Sequence, residues 1–188
     1  MSQQRIYKMK NRYEIRLSGS GGQGMITAGI ILAEAAGVYD GKCVVQSQSY
    51  GPEARGGASK AEVIISDKEI FYPKATAIDI LLAMTQEAWE KYSSDLNPDA
   101  VAIVDSWYVK DVDQPGVISL PLSQKAREDV GLEIIANVIA LAAIAEITGV
   151  VSKEALEKSL LSRIPKGTEE KNKKALEIGF QLGKEAKK

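Results

Sequence analysis

Apolar Tyr13, Ile15 and Leu17 alternate with Glu14 and Arg16, the period of a half-buried strand, and the pattern ends at Ser18 before a run of glycines. From Met25 to Val38 the period changes. Apolar residues in MITAGIILAEAAGV recur at helical spacing, with Ala28, Gly29 and Ala33 small enough to let a helix lie close to a sheet. Short Val- and Ile-rich runs then predict strands over 42–48, 61–66, 78–84 and 100–105, with a further one over 117–120. Thr85 reads as the cap of a helix from Gln86 to Tyr92, and Asn97-Pro98-Asp99 as a turn before the fifth strand.

From Leu122 the pattern is helical: a short segment, an apolar helix ending at Gly149, and a helix over 153–162 capped by Ser152, broken at Pro165 and Gly167. The last segment, 168–188, carries Ala175, Leu176, Ile178, Phe180 and Leu182 as an apolar stripe. Counting Lys166, it has seven lysines against four glutamates and reads as a solvated terminal helix. The β-α-β opening, further strands and helical end predict one domain over 1–188, a three-layer α/β/α Rossmann-like doubly wound sheet with a helical C-terminal part.

Composition narrows the function. With 24 basic and 25 acidic residues, the chain lacks the general basic surface that a phosphate backbone demands, which excludes nucleic acid as a partner. The apolar run from Ile134 to Ile147 is broken by Asn137 and Glu146 and is shorter than the roughly 20 residues of a membrane span. The basic first residues lead straight into a strand pattern without an apolar h-region, so a cytoplasmic protein is expected. One cysteine, Cys43, cannot supply the four thiolates usual for an iron–sulfur cluster. The absence of histidine removes the commonest general base and the Ser-His and Cys-His nucleophile pairs.

Two loops carry the candidate chemistry. Gly19-Ser20-Gly21-Gly22-Gln23-Gly24 has G-x-G-x-x-G spacing after a strand and before a helix, where glycines permit positive φ and admit a ligand to backbone N–H groups at a helix N-terminus. A dinucleotide site also wants an acid at the end of the second strand, but that region reads Cys43-Val44-Val45-Gln46-Ser47-Gln48. The glycines alternatively serve only a tight turn. Gln23, a long amide at the tip of that turn, argues for a hydrogen bond to something docked there. In the second loop, Tyr50, Glu53 and Arg55 stand before Gly56-Gly57. A doubly wound sheet brings this loop to the same edge as the first, with Arg55 suited to a carboxylate or phosphate. An internal Glu53–Arg55 contact is the plainer alternative. Asp105, ending the fifth strand, sits at the ligand edge of an open α/β sheet, or else fixes a loop.

SGSGGQGMITAGIILAEAA from Ser18 to Ala36 and QSYGPEARGG from Gln48 to Gly57, taken together, resemble the gamma subunit of 2-oxoacid:ferredoxin oxidoreductases, nearest to the 2-oxoglutarate type. The resemblance implies oxidative decarboxylation of a 2-oxoacid (2-oxoglutarate, otherwise pyruvate or a branched-chain 2-oxoacid) with coenzyme A to acyl-CoA, carbon dioxide and reduced ferredoxin. It also implies thiamine diphosphate and iron–sulfur clusters on alpha, beta and ferredoxin-like delta partners. Gly19, Gly21, Gly22, Gln23, Gly24, Tyr50, Glu53, Arg55 and Asp105 would then face the partner active site or coenzyme A, with no catalytic residue in this chain alone. The competing readings are a stand-alone Rossmann-like nucleotide-binding or sensor module and a purely structural assembly subunit.

Overall fold

The protein is described by a computed structural model over residues 10–49 and 58–188. Its strands are β1 (Arg12–Ser20), β2 (Cys43–Ser49), β3 (Ala58–Ser66), β4 (Ile78–Ala83), β5 (Leu96–Asp105) and β6 (Ile118–Leu120). Its α-helices are α1 (Met25–Glu34), α2 (Gln86–Tyr92), α3 (Leu122–Lys125), α4 (Ala136–Thr148), α5 (Lys153–Arg163) and α6 (Glu169–Ala186). The six strands lie in the order β2-β3-β1-β4-β5-β6.

The fold is the expected α/β sheet with helices on both faces, and its internal order differs at β3. β3 is antiparallel to both β1 and β2 and is inserted between them, while β1, β4, β5 and β6 run parallel. A hairpin from β2 to β3 needs no crossover helix, so β3 must reverse direction. Ser18 and Ser49 flank Lys60 from either side, which puts the ends of β1 and β2 at one edge of the sheet.

Side-chain alternation assigns the two faces. Ile15, Leu17, Val63, Ile65, Ile80, Leu82 and Ile103 pack with α1, α4, α5 and α6 in the larger core, whereas Leu81, Ala83, Ala102 and Val104 pack with Ala88 and Trp89 of α2 in the smaller. α1 and α2, which follow the neighbouring parallel strands β1 and β4, therefore cover opposite faces. That arrangement opens a crevice at the carboxyl ends of β1 and β4. The caps fall where the sequence places them: Thr85 Oγ1 accepts from the N–H of Ala88 at 3.2 Å, and Ser152 Oγ from that of Ala155 at 3.1 Å.

Two expectations are corrected. Asn97-Pro98-Asp99 lies within β5, where the pairing jumps from Ile78↔Leu96 to Ile80↔Val101, so the turn residues form an irregularity inside the strand. Pro98 is tolerated there because the ladder is already broken. The C-terminal helix is not simply solvated. Asn172, Ala175, Leu176, Gly179, Leu182 and Gly183 are buried, and α6 crosses α4 at Gly179 and Gly183, where the missing side chains let the backbones approach.

Candidate functional site at the carboxyl edge

The glycine loop sits at the mouth of the crevice. Ser18 Oγ donates to the carbonyl of Leu82 at 2.7 Å, and the N–H of Met84 to the carbonyl of Ser18 at 2.9 Å, so β1 and β4 are tied together up to the point where the loop leaves. Gly22 and Gly24 take φ of 93° and 73°, the left-handed region that favours glycine. Gly24 caps α1 without any side-chain bond, and its carbonyl accepts from Ala28 N–H at 2.9 Å and Asn137 Nδ2 at 3.3 Å. The N–H groups of Met25, Ile26 and Thr27 have no partner among the described residues, which leaves the N-terminus of α1 receptive to an anion.

Gln23 turns back on its own loop. Its Oε1 accepts the N–H of Ser20 at 2.8 Å and occupies the space that a side chain on Gly19 would need, 2.4 Å from a Cβ built there. Its amide nitrogen has no partner among the described residues. Gly21, by contrast, has nothing within 4 Å of an added Cβ and is exposed.

Asp105 is at the same edge but looks inward. Fully buried, it accepts from Trp107 N–H at 3.2 Å and from Ser123 N–H at 3.3 Å, tying the turn after β5 to the first turn of α3. β4 lies between β5 and β1, so Asp105 is roughly 10 Å from the glycine loop by strand spacing. Tyr50, Glu53 and Arg55 lie outside the described residues. The segment that bears them joins Ser49 to Ala58, both at this edge.

The strand beside the loop is β3, and this bears on dinucleotide binding. Ser59, nearly buried, donates from Oγ to the carbonyls of Gly19 at 3.3 Å or Ser20 at 3.4 Å, filling the place next to β1 where a dinucleotide fold sets the end of its second strand. The end of β2, without an acid, is one strand further away.

A cluster that the sequence did not single out completes the edge. Arg127 donates from Nη2 to the hydroxyl of Tyr108 at 2.6 Å and to Glu133 at 2.7 Å, and its guanidinium carbon lies 5.0 Å from the centre of the Trp107 ring. Tyr108 also donates to Glu133. The Glu133 carboxyl is held below its usual value, first by the hydrogen bond from Arg127 and then by that from Tyr108, while the Tyr108 hydroxyl is pushed up chiefly by its bond to Glu133. A carboxyl with a lowered folded pKa contributes stability above the ordinary glutamate value of about 4.3, lost as pH falls through the lower folded value. Trp107 fluorescence is therefore expected to change reversibly below about pH 4, and the change should vanish in Glu133→Gln. An identical acid transition in that variant would assign it elsewhere.

Among the described residues no three His, Cys, Asp or Glu side chains are grouped to hold a metal ion, and Cys43 is exposed on β2. The donor set for an iron–sulfur cluster is missing from the sequence itself, so no redox step is assigned to this chain. A cavity of about 750 Å³ opens at the opposite edge, beside Lys10, Asp79, Asn97 and Val117. Its buried carboxylate is engaged within the protein: Asp79 accepts from Lys10 Nζ at 2.6 Å, Asn97 Nδ2 at 2.8 Å and Glu14 N–H at 2.9 Å.

Residues 14–182 match the family model of pyruvate ferredoxin/flavodoxin oxidoreductase. The chain belongs to this family. It is 48% identical over 182 residues to the 2-oxoglutarate synthase subunit KorC of Methanocaldococcus jannaschii, covering 95% of this chain and 97% of that one. The pyruvate synthase subunit PorC of the same organism is 32% identical over 172 residues, covering 89% of this chain and 94% of that one. Among solved structures, the keto/oxoacid ferredoxin oxidoreductase gamma subunit of Geobacter sulfurreducens superposes with a TM-score of 0.86 at 54% identity, over 95% of this chain and 100% of that one. The 2-oxoglutarate:ferredoxin oxidoreductase of Magnetococcus marinus, solved with 2-oxoglutarate, coenzyme A and succinyl-CoA, matches with a TM-score of 0.83 at 25% identity. There the match covers 94% of this chain but 32% of the other. Among the described residues no helix is long and apolar enough to cross a membrane.

Proposed function

We propose that this chain is the gamma-type subunit of a 2-oxoglutarate:ferredoxin oxidoreductase, which converts 2-oxoglutarate and coenzyme A to succinyl-CoA and carbon dioxide and passes two electrons to ferredoxin. The observation that carries the substrate is the end-to-end identity of 48% to KorC against 32% to PorC. Alpha, beta and ferredoxin-like delta chains would hold the thiamine diphosphate and the clusters, in keeping with one cysteine and no histidine here. The carboxyl edge would face those chains. There the glycine loop and Tyr50, Glu53 and Arg55 would hold an anionic group of substrate or coenzyme A and exclude water from the reacting centre. The sensor reading loses support from Ser59, which occupies the place next to β1 where a ribose-binding acid would approach.

Anaerobic recovery of the tagged chain from its native extract tests this. Co-recovery of thiamine- and cluster-bearing chains is expected, with coenzyme-A-dependent dye reduction at least about tenfold faster with 2-oxoglutarate than with pyruvate, the scale of one well-placed polar contact. Recovery of a lone chain carrying a nucleotide would overturn the reading in favour of the sensor module.

A further inference from the structure

We propose that Asn137 is a positioning residue: from α4 it fixes the Gly24–Met25 peptide, so that the glycine loop presents its N–H groups to an anionic group of 2-oxoglutarate or coenzyme A. The inference rests on the reading above that this loop holds such a group.

Asn137 is an amide in apolar surroundings. In α4, ANVIALAAIAEIT, it is only 8% exposed, and Ala136, Val138, Ile139 and Ala140 around it are buried too. An apolar side chain would be buried there at lower cost. The amide makes no cap for its own helix. Its Nδ2 instead donates to the carbonyl of Gly24, 113 residues away, at 3.3 Å, and stands 2.5 Å from the point that a Cβ on Gly24 would take. A carbonyl only accepts, so the amide nitrogen faces the loop and the amide oxygen faces away from it. That oxygen, Oδ1, has no partner among the described residues. Half of the amide's hydrogen-bonding capacity is therefore unused by the fold, and stability alone does not account for the residue.

The bond reaches the loop's donors through one peptide plane. The carbonyl of Gly24 and the N–H of Met25 belong to the same trans peptide and point in opposite directions, so whatever fixes the first aims the second. Ala28 N–H at 2.9 Å and Asn137 Nδ2 at 3.3 Å together occupy both lone pairs of that carbonyl. The carbonyl points along α1, which turns the Met25 N–H back toward the loop, beside the open N–H groups of Ile26 and Thr27. Donation to the carbonyl also polarises the peptide and makes its N–H a stronger donor. Gly24, at φ of 73°, has no side chain to limit its own rotation. The restraint has to come from outside the loop, and among the described residues Asn137 is the side chain that supplies it. A carboxylate of 2-oxoglutarate and a phosphate of coenzyme A are both anions that such N–H groups bind.

The test uses the complete oxidoreductase, recovered anaerobically through the tagged chain as wild type, Asn137→Ala, Asn137→Leu and Gly21→Asp. It measures kcat and KM for 2-oxoglutarate and for coenzyme A, with the melting temperature of each tagged chain. Asn137→Leu keeps the outline of the amide without its donor, suits the apolar helix, and decides the matter if Asn137→Ala fails to fold. Gly21→Asp places a carboxylate on an exposed loop position with open space around it and probes the loop itself. Both Asn137 variants are expected to raise one KM about tenfold, the scale of one hydrogen bond to a charged group, with kcat within about twofold of wild type. Gly21→Asp should raise the same KM. A rise for coenzyme A assigns the anion as its phosphate, and a rise for 2-oxoglutarate as its carboxylate. Both KM values at wild type in the folded Asn137 variants, whatever the melting temperature or kcat, make Asn137 a structural residue and overturn the proposal. If Gly21→Asp then still raises a KM, the loop reading survives. Both KM values at wild type in Gly21→Asp overturn the loop reading and the proposal with it.

Discussion

A Gly179→Ala protein is expected to melt roughly 4–8 °C below wild type, corresponding to about 2 kcal/mol in a chain of this size. Two effects compete. Alanine is a better helix former than glycine by about 1 kcal/mol, so an unobstructed site in the middle of α6 would gain stability. Here a Cβ would stand 2.2 Å from the carbonyl oxygen of Ile139 and 2.6 Å from the Cβ of Ala142. Backbone cannot rotate away as a side-chain tip can, so α6 must lift off α4 and the buried contacts of Leu176 and Leu182 loosen with it. Steric cost exceeds propensity, and the sign is negative. Gly21→Ala, with open space around its Cβ, is the matched control and should melt with wild type. A Gly179→Ala protein as stable as the control would mean that the two helices do not cross this closely.

Asp105→Ala is expected to cost about 3 kcal/mol, read as a lower urea midpoint at unchanged slope. The substitution strands the buried N–H of Ser123 and the half-buried N–H of Trp107 and leaves a cavity where the buried carboxylate stood, and a buried orphan donor costs about 1–3 kcal/mol. Asp105→Asn keeps the shape and one acceptor oxygen and should lose about half as much. The pair of variants separates the two meanings of an acid at this edge. A carboxylate that only fixes the turn lowers stability and, with it, the order of the neighbouring Trp107. A carboxylate needed by substrate or coenzyme A would instead lower turnover of the assembled enzyme with the melting curve unmoved, and that result would refute the structural role.

Much of the architecture was legible because it depends on local signals. The change from period two to helical period at Ser18–Met25, the caps at Thr85 and Ser152, and the strand ends at Ser66 and Asp105 all follow from residues within a few positions of one another. The edge that bears the glycine loop was legible too, since a strand followed by glycines and a helix has one arrangement in an open sheet. The Asn97-Pro98-Asp99 signal failed because its turn chemistry is met inside β5, at a jump in pairing with β4 that no local pattern announces. The cluster of Trp107, Tyr108, Arg127 and Glu133 was invisible for a similar reason. Its members stand as many as 26 residues apart without regular spacing and meet only because α3 folds back beside the turn after β5. A tryptophan two residues beyond the end of a sheet strand was the one available hint.

By itself the sequence determined which segments are strands and helices, that the chain lacks the thiolates for a cluster, and, through two motifs at their spacing, its kinship with an oxidoreductase subunit. Those properties reside in composition and in neighbours along the chain. Only the tertiary structure decided that β3 reverses and separates β2 from β1, that Gln23 closes its own loop, that Asp105 faces inward, and that α6 is packed onto α4 through two glycines. Each of these depends on which distant backbone lies within a few ångströms, and that is set by the packing of whole elements against one another.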